Sequence, residues 1–572
     1  MKFAVLVIDF DGTISDDGSL GAEVRSALQD ARSRGIAVIL DTGRTLDDLR
    51  RLIGDLCIFD AVVGENGAVV SFPGSGRSLS LCPRPPSALL DELARRGVAA
   101  THGEGVVEVA ADQSVAVLAV IRELELPLAI LFNRGRLMIL PQAVSKATGL
   151  REALRILRLS AHNAIAIGDA ENDHEMLLAC EVGAAVAWGS PRLQQVADDV
   201  VDGTAPPAVA SYIRRAISRS RLVPGRGHRK LLLGTTIEGR PLALSVRGRN
   251  LLIAGDPRSG KSWVAGLLCE QLILQRYCVC VIDPEGDYAP LEALPGVLVL
   301  GGDDRPPGVR DLTRALRYPD VSVIIDLSRM HARDKRQYVS SLLLMLARLR
   351  RQTGLPHRIV VDEAHYFLYG EDVHELLDLE LGGYTLVTYR ASGLHKDLLA
   401  AIEAIVVTRA TNPAEAQALQ AISGGRAAAW HATLRDLAID EAVLLPRTEE
   451  AGGDLCRFAV AARMTPHVRH RHKYLDVPIP VSRAFVFTRD GAPAGRTART
   501  LKEFVDALVA SRPEDLAGHL QRSDFSRWIG DVFGDRPLAA QVLELEHDHR
   551  HGRVLAINDA LADLIQSRYA FA

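Results

Sequence analysis

The stretch Gly255-Asp256-Pro257-Arg258-Ser259-Gly260-Lys261-Ser262, near the middle of the chain, constrains the fold most tightly. The apolar run Leu251-Leu252-Ile253-Ala254 precedes it, and Trp263 to Leu268 follows with helical spacing. A strand, a glycine-bounded loop ending in Lys-Ser, and a helix together make a phosphate cradle. Backbone N–H groups and the helix N-terminus face the anion. Lys261 then reaches the β/γ oxygens and Ser262 offers its hydroxyl to Mg2+. The pattern implies that the chain binds a nucleoside triphosphate.

At 572 residues the chain is too long for one core; at ~150 residues each, about three or four domains are expected. A hydrophobic content of 48% with 24% charged residues is that of core-forming globular domains. The formal charge of −4 excludes a globally basic nucleic-acid coat, though it leaves local patches open. Seven scattered cysteines make no disulfide framework. Cys278 and Cys280 alternate on an apolar strand, which suits small core residues better than metal ligands. The N-terminal run Phe3 to Ile8 is too short for a signal peptide, and no apolar window of about 18 residues offers a membrane span. A cytoplasmic enzyme with no membrane contact is the expectation.

The chain begins with a buried-type strand ending in Asp9-Phe10-Asp11-Gly12-Thr13. Two carboxylates two residues apart at a strand end suit a nucleophile and a proton donor reaching one phosphate. A second strand, Ile36 to Leu40, ends in Asp41-Thr42-Gly43-Arg44, whose hydroxyl can hold a phosphoryl oxygen. Lys146 stands at a helix start, where a fixed cation offsets phosphoryl charge. The strand Ala164 to Ile167 leads into Gly168-Asp169-Ala170-Glu171-Asn172-Asp173, the oxygen-rich kind of loop that Mg2+ prefers.

In this order, and spanning residues 1–205, these elements resemble the four motifs of the haloacid dehalogenase-like superfamily, in its Cof-like branch. Val63-Gly64-Glu65-Asn66-Gly67-Ala68 and Ala185 to Ser190 fit the same branch. The resemblance implies a Rossmann-like α/β core in which Asp9 is the nucleophile and Asp11 the acid/base. Thr42, Gly43, Lys146 and Asn172 would bind phosphate. Mg2+ would be held by Asp169 with Asp9 and the Asp11 carbonyl, supported by Asn172 and Asp173. A small cap, roughly residues 80–141, would sit between the second and third motifs. A phosphorylated small-molecule substrate is implied, with sugar phosphates the usual class.

Pro206-Pro207 closes this part, and residues 206–230 follow with a short helix (Val209 to Ser218). The basic, Pro- and Gly-containing stretch Arg219 to Lys230 reads as a solvated linker. Leu231 to Leu244 reads as a hairpin leading to the phosphate-cradle strand, opening a domain over residues 231–475. Further strands are expected at Val279 to Asp283, Val321 to Asp326 and Ile359 to Val361. The last is followed by Asp362-Glu363: Asp362 would anchor the Mg2+ shell and Glu363 polarise the attacking water, a pair that points to hydrolysis. With Ile282-Asp283-Pro284-Glu285-Gly286-Asp287-Tyr288 and Val361-Asp362-Glu363-Ala364-His365, this region resembles HerA/FtsK-type ATPases. That implies a RecA-like core binding ATP, in a homo-oligomer arranged as a ring. Tyr389 stands where that family commonly has a Gln sensor. Arg390 and Arg409 are candidate arginine fingers. Contact with nucleic acid is left open: Arg457, Arg463 and the run His467 to Lys473 are basic but read as a solvated linker.

Residues 480–572 read as a small, mostly α domain resembling an uncharacterised module, with a strand at Ala484 to Phe487 and a helix from Thr500 to Ser511. Phe525, Trp528 and Phe533 have the spacing of a helix core, and His547 to His551 that of a solvated helix face. The leading reading is a bifunctional protein, a phosphohydrolase joined to an ATPase. The rival is an ATP-driven nucleic-acid motor whose first domain processes nucleotide or polynucleotide phosphates.

Overall fold

Val5-Leu6-Val7-Ile8 is buried on both faces, as a parallel strand covered by helices on either side must be. In a computed structural model it pairs in parallel with Ala37–Asp41 and with Ala164–Gly168. The structure describes all residues except 134, 220, 303–305, 371–372, 424–429, 452–454, 466–478, 480, 490–491, 534–535 and 570–572. Among the described residues the chain forms two compact units, Met1–Pro284 with Tyr288–Pro466, and Glu285–Asp287 with His467–Ala572.

The first sheet has eight strands, in the order Asp199–Val201, Val182–Val186, Ala164–Gly168, Val5–Ile8, Ala37–Asp41, Ala61–Gly64, Val69–Phe72 and Arg77–Ser80. The first six pair in parallel and the last two pairings are antiparallel, so Val69–Phe72 alone runs against the rest. Helices Ala22–Ser33 and Pro206–Ile217 fill one face. Helices Lys146–Leu157 and His174–Ala179 fill the other. Between the strand Arg77–Ser80 and the helix at Lys146, a separate four-stranded antiparallel sheet (Ala100–His102, Val107–Ala110, Arg136–Pro141, Leu128–Asn133) packs two helices, Ser87–Arg95 and Ser114–Glu123. This is the cap.

The second sheet has eleven strands. Its parallel part runs Ala404–Val407, Leu251–Ala254, Tyr384–Thr388, Arg358–Val361, Val279–Asp283, Ser322–Asp326 and Val297–Gly301. The strand Tyr384–Thr388 thus stands between the phosphate-cradle strand and the one leading to Asp362. The hairpin Lys230–Thr236 with Pro241–Ser245 joins the antiparallel edge. Cys278 and Cys280 are buried and free, as their alternation predicts.

The basic stretch Arg219 to Lys230 is not the solvated linker that its composition predicts. Leu222 is buried, and its N–H donates to the Met1 carbonyl at 2.7 Å. Arg221 forms a two-point ion pair with Glu403 at 2.8 and 3.1 Å. His228 sits on Asp198, 2.8 Å away. Arg229 donates to the carbonyls of Leu178, Ala179 and Cys180, the unsatisfied end of the helix His174–Ala179. Composition marks these residues as polar; acidic partners and a helix C-terminus recruit them into packing.

The two sheets meet where their strands begin. Asn163, just before Ala164–Gly168, accepts through Oδ1 from His357 Nε2 at 3.2 Å, and His357 just precedes Arg358–Val361. The Asn163 amide is oriented by donating to the Lys2 carbonyl. On its other side, His357 Nδ1 accepts from the Cys278 N–H at 2.8 Å. Beside this pair, His162 stacks on Tyr277 with ring centroids 3.6 Å apart, and Tyr277 donates to Glu181 at 2.8 Å.

The second unit packs the hairpin Phe485–Arg489 and Ala492–Ala498 against helices that include Leu501–Val509, Asp524–Trp528 and Arg536–Arg550. Phe525, Trp528 and Phe533 are buried in that core, as their spacing predicts. The basic run His467 to Lys473 lies outside the described residues.

Burial first, then the charges of His162 and Arg350, hold His357 neutral, well below the ordinary histidine value of 6.5. The unfolded chain takes up a proton that the folded chain refuses. Stability is therefore full above that value and lost as the pH falls below it, by up to about 1.4 kcal/mol per pH unit. The midpoint of thermal unfolding is expected to fall between about pH 7.5 and about pH 5.5, and to fall less in His357→Gln.

Candidate functional site

The carboxyl ends of the parallel strands carry the chemistry-bearing side chains in both sheets. In the first sheet Asp9 follows Val5–Ile8, Thr42 follows Ala37–Asp41 and Asp169 follows Ala164–Gly168. Lys146 begins the helix Lys146–Leu157, where Ser145 and Thr148 form a reciprocal capping box. Its ammonium, fully buried, donates to Asp9 Oδ1 at 2.5 Å and to Asp173 Oδ1 at 2.6 Å. The other Asp173 oxygen accepts from the N–H groups of Asp169 and Ala170, at 2.9 and 3.0 Å. The Thr13 hydroxyl donates to Asp169 Oδ1 at 3.1 Å.

Asp9, Asp169 and Asp173 each bring one carboxylate oxygen to within 4.8 Å of the others. Three carboxylates face one ammonium, an excess of two negative charges, and the donors are all hard oxygens. That set fits a divalent cation such as Mg2+. Burial and the Asp173 and Asp169 charges push the Asp9 carboxyl up, against the pull of Lys146; a cation among the three would reverse that push. Burial alone would lower Lys146, but Asp173, Asp9 and Asp41 more than offset it and hold the ammonium above its ordinary range.

Thr42 is buried, and its hydroxyl accepts from the Arg44 N–H at 3.2 Å. Asn172 donates to Asn66 at 3.0 Å. A Cβ on Gly43 would lie 2.7 Å from the Met138 methyl, so the cap touches the core beside Thr42. Asn66 also donates to Met138 sulfur. The Glu65 carboxylate clamps the cap loop by accepting from the N–H groups of Glu104, Gly105 and Val106 at 2.9 to 3.3 Å. Asp11 is held apart from Lys146: Arg44 grips it at two points, 2.7 and 2.6 Å. Asp41 is fully buried with neither oxygen hydrogen-bonded, and burial raises its carboxyl well above the usual range.

In the second sheet, Gly260 caps the helix Lys261–Leu274 with φ +101°, a left-handed conformation that glycine adopts without strain. A Cβ on Gly255 would lie 2.1 Å from Thr408 Oγ1, so only glycine lets the loop approach the neighbouring strand end. Ser259 is 2.5 Å from that same hydroxyl. Asp256 accepts from Thr411 at 2.7 Å, and Lys261 donates to the Asp256 carbonyl at 2.9 Å. Pro257, Arg258 and the half-buried Ser262 complete the loop and helix start. Asp362 is buried and accepts from the Glu363 N–H at 2.9 Å. Glu363, at φ +48°, turns back so that its carboxylate is 3.6 Å from His365. His365 pairs with Thr388 at 3.0 Å, and the Tyr389 ring stands edge-on to it with centroids 4.3 Å apart. Burial, with Lys261 and Arg390 nearby, brings His365 down to about 4. Arg390 is exposed and Arg409 half-buried.

Arg44, Asn66, Glu65, Met138 and His365 enter these sites without having been assigned a part from the sequence. Arg44 and His365 stand within stretches singled out for their neighbours, two residues past Thr42 and Glu363, and that spacing was their one signal. Met138 comes from the cap, and no local pattern marks it. Among the described residues one further group could hold a metal ion, His374, His395 and Asp397.

A family model for haloacid dehalogenase-like hydrolases matches residues 6–79 and 126–213, and one for the central domain of the helicase HerA matches residues 245–334. A phosphoglycolate phosphatase of Methanopyrus kandleri is 29% identical over 231 residues, covering 37% of this chain and 97% of that protein. Another, from Methanoculleus marisnigri, is 32% identical over 211 residues, covering 34% and 88%. A crystal structure of a haloacid dehalogenase-like hydrolase from Bacteroides thetaiotaomicron matches at 18% identity and a TM-score of 0.34, covering 38% of this chain and 100% of that one. The chain belongs to the haloacid dehalogenase-like hydrolases through its N-terminal part, and joins to it a HerA-type P-loop ATPase domain.

Proposed function

We propose that the protein is a Mg2+-dependent phosphohydrolase of a small phosphorylated metabolite, working through an aspartyl phosphate on Asp9, and that its second domain binds and hydrolyses ATP. The observation that carries this reading is the buried Lys146 ammonium between Asp9 and Asp173. It holds one cation between two carboxylates at the strand ends, an arrangement that supports Asp9 as nucleophile with Lys146 beside the phosphoryl group. Asp9 attacks phosphorus, and the ester oxygen leaves with a proton from Asp11. Water then attacks phosphorus, Asp11 takes its proton, and the bond to Asp9 breaks. Lys146 offsets the charge that gathers on the phosphoryl oxygens, and Thr42 holds one of them. Mg2+, held by Asp9, Asp169 and Asp173 with the Asp11 carbonyl, would polarise the phosphoryl group. The phosphoglycolate phosphatases among the relatives support a small phosphate monoester as substrate.

In the second domain, the loop from Gly255 to Ser262 would hold the ATP phosphates, Asp362 would anchor the cation shell with Ser262, and Glu363 would orient water. Arg390 and Arg409 would act on ATP held by a neighbouring subunit of a homo-oligomer. The likeness to a helicase central domain also favours a second reading, a nucleic-acid motor. That reading requires DNA to stimulate ATP hydrolysis in a manner that weakens as salt rises. Absence of stimulation by any nucleic acid removes it.

Asp9→Asn is expected to abolish phosphate release from p-nitrophenyl phosphate while ATP hydrolysis survives. Asp11→Asn should lower phosphate release by about 100- to 10,000-fold. Retained activity in Asp9→Asn sinks the aspartyl-phosphate route.

Lys261→Ala is expected to weaken ATP binding at least about tenfold, measured by calorimetry. Glu363→Gln should keep binding and lose hydrolysis by about 100-fold or more. Undiminished turnover in Glu363→Gln would take the water-orienting part away from Glu363.

A further inference from the structure

Two loops leave the carboxyl ends of neighbouring strands in the second sheet, and a cluster of side chains stands where they meet again. One loop follows Arg358–Val361 and leads through Asp362-Glu363 to the short helix Val373–Leu376. The other follows Tyr384–Thr388 and leads to the short helix Lys396–Ala400. The two strands pair in parallel, so the loops set out side by side. They are stitched first at His365 and Thr388, then where the His395 N–H donates to the Leu368 carbonyl at 3.2 Å. Further along they bring together His374, His395 and Asp397.

His374 Nε2 lies 2.8 Å from Asp397 Oδ2, and His395 Nδ1 lies 3.9 Å from the same oxygen. The two imidazoles are not stacked on each other: their planes stand at 81° with centroids 6.2 Å apart. One ligand atom from each of the three residues lies within 4.8 Å of the other two. A tetrahedral Zn2+ with bonds of about 2.05 Å spaces its ligand atoms about 3.3 Å apart, and the two distances to Asp397 fall on either side of that value. His395 is the fixed wall of the cluster, 8% exposed, and its Nδ1 already presents a lone pair by accepting from the Asp397 N–H at 3.3 Å. The His374 and Asp397 side chains are 59% and 45% exposed, so both have room to move and an ion has a way in. A shift of about half an ångström in each distance completes the geometry. Without an ion the arrangement does little: an exposed His–Asp pair adds almost nothing to stability, and the cap bond to Nδ1 is long.

We propose that His374, His395 and Asp397 form a Zn2+ site that ties the loop leaving Asp362-Glu363 to the loop leaving Thr388. Two imidazole nitrogens and one carboxylate oxygen suit Zn2+, whereas Mg2+ takes oxygen donors such as the Asp9, Asp169 and Asp173 set. The ion enters between His374 Nε2 and Asp397 Oδ2, and the His374 ring then carries its proton on Nδ1. His395 Nδ1 gives its lone pair to the metal in place of the cap bond, and water fills the fourth position. The site is a brace on the ATPase domain: it joins two segments that would otherwise be held at this point by one exposed pair.

The test titrates the full-length protein, in excess Mg2+, with Zn2+ and separately with Co2+. The wild type is expected to bind one more equivalent of Zn2+ than His374→Ala or Asp397→Asn, each of which should weaken that equivalent by at least about 100-fold. Co2+ on the wild type should give the strong visible bands of a four-coordinate ion, and these should be lost in His374→Ala. In His374→Cys the ion should stay and a thiolate-to-metal band should appear in the near ultraviolet, which a merely structural histidine would not produce. Zn2+ should also slow amide exchange in Val373–Leu376 and Lys396–Ala400 by at least about tenfold in the wild type and leave it unchanged in His374→Ala. Equal Zn2+ stoichiometry in wild type and His374→Ala overturns the site, and exchange that Zn2+ does not slow overturns the brace. Should His374→Ala and Asp397→Asn fail to fold, His374→Cys decides: absence of the thiolate band overturns the inference.

Discussion

A buried ammonium between two carboxylates is the interaction around which the first domain is built. Lys146 has no exposed side-chain surface, and removing one partner from such a cluster costs about 3–5 kcal/mol. The fold goes to some length to place it. Gly149, in the first turn of the helix, would put a Cβ 2.6 Å from the Gly67 backbone, and Gly67 in turn would put one 2.0 Å from the Ser145 carbonyl. A glycine inside a helix costs about 1 kcal/mol relative to alanine. Here two glycines let the helix start and the turn Glu65–Gly67 touch backbone to backbone, and that contact brings the ammonium over the strand ends. The same turn carries Glu65 and Asn66, so the piece that seats Lys146 also clamps the cap.

The ATPase domain solves a related problem with other parts. Its loop must approach the end of Ala404–Val407 closely enough for Ser259 to meet Thr408, and Gly255 makes that approach sterically open. In both domains charged or polar groups gather where parallel strands end, because helix N-termini and free backbone N–H groups point there while the other ends are closed by packing.

Several of the strands were legible from residue pattern. Runs such as Val5 to Ile8, Leu251 to Ala254 and Ile359 to Val361 are apolar without alternation, which only a strand covered on both faces tolerates. Local spacing also marked Asp9, Thr42, Lys146, Asp169, Lys261 and Asp362, since each sits at the boundary of a strand or helix. Distance in the chain hid the rest. Met138 meets Asn66 across 72 positions, and His357 meets Asn163 across 194; no window of sequence contains either pair. Arg219 to Lys230 was misread for a different reason. Composition reports that a stretch is polar, and it is silent on whether water or a buried carboxylate answers that polarity.

The joint between the two sheets lies at the beginnings of their strands, where His357 meets Asn163. Each strand then runs away from the joint for four or five residues before reaching its own carboxylates, about 15 Å at 3.3 Å per residue. Asp169 and Asp362 therefore each lie a strand's length from the joint. What the two sites share is a common floor, and any communication between them is a matter of how that floor is tilted, strained or held still.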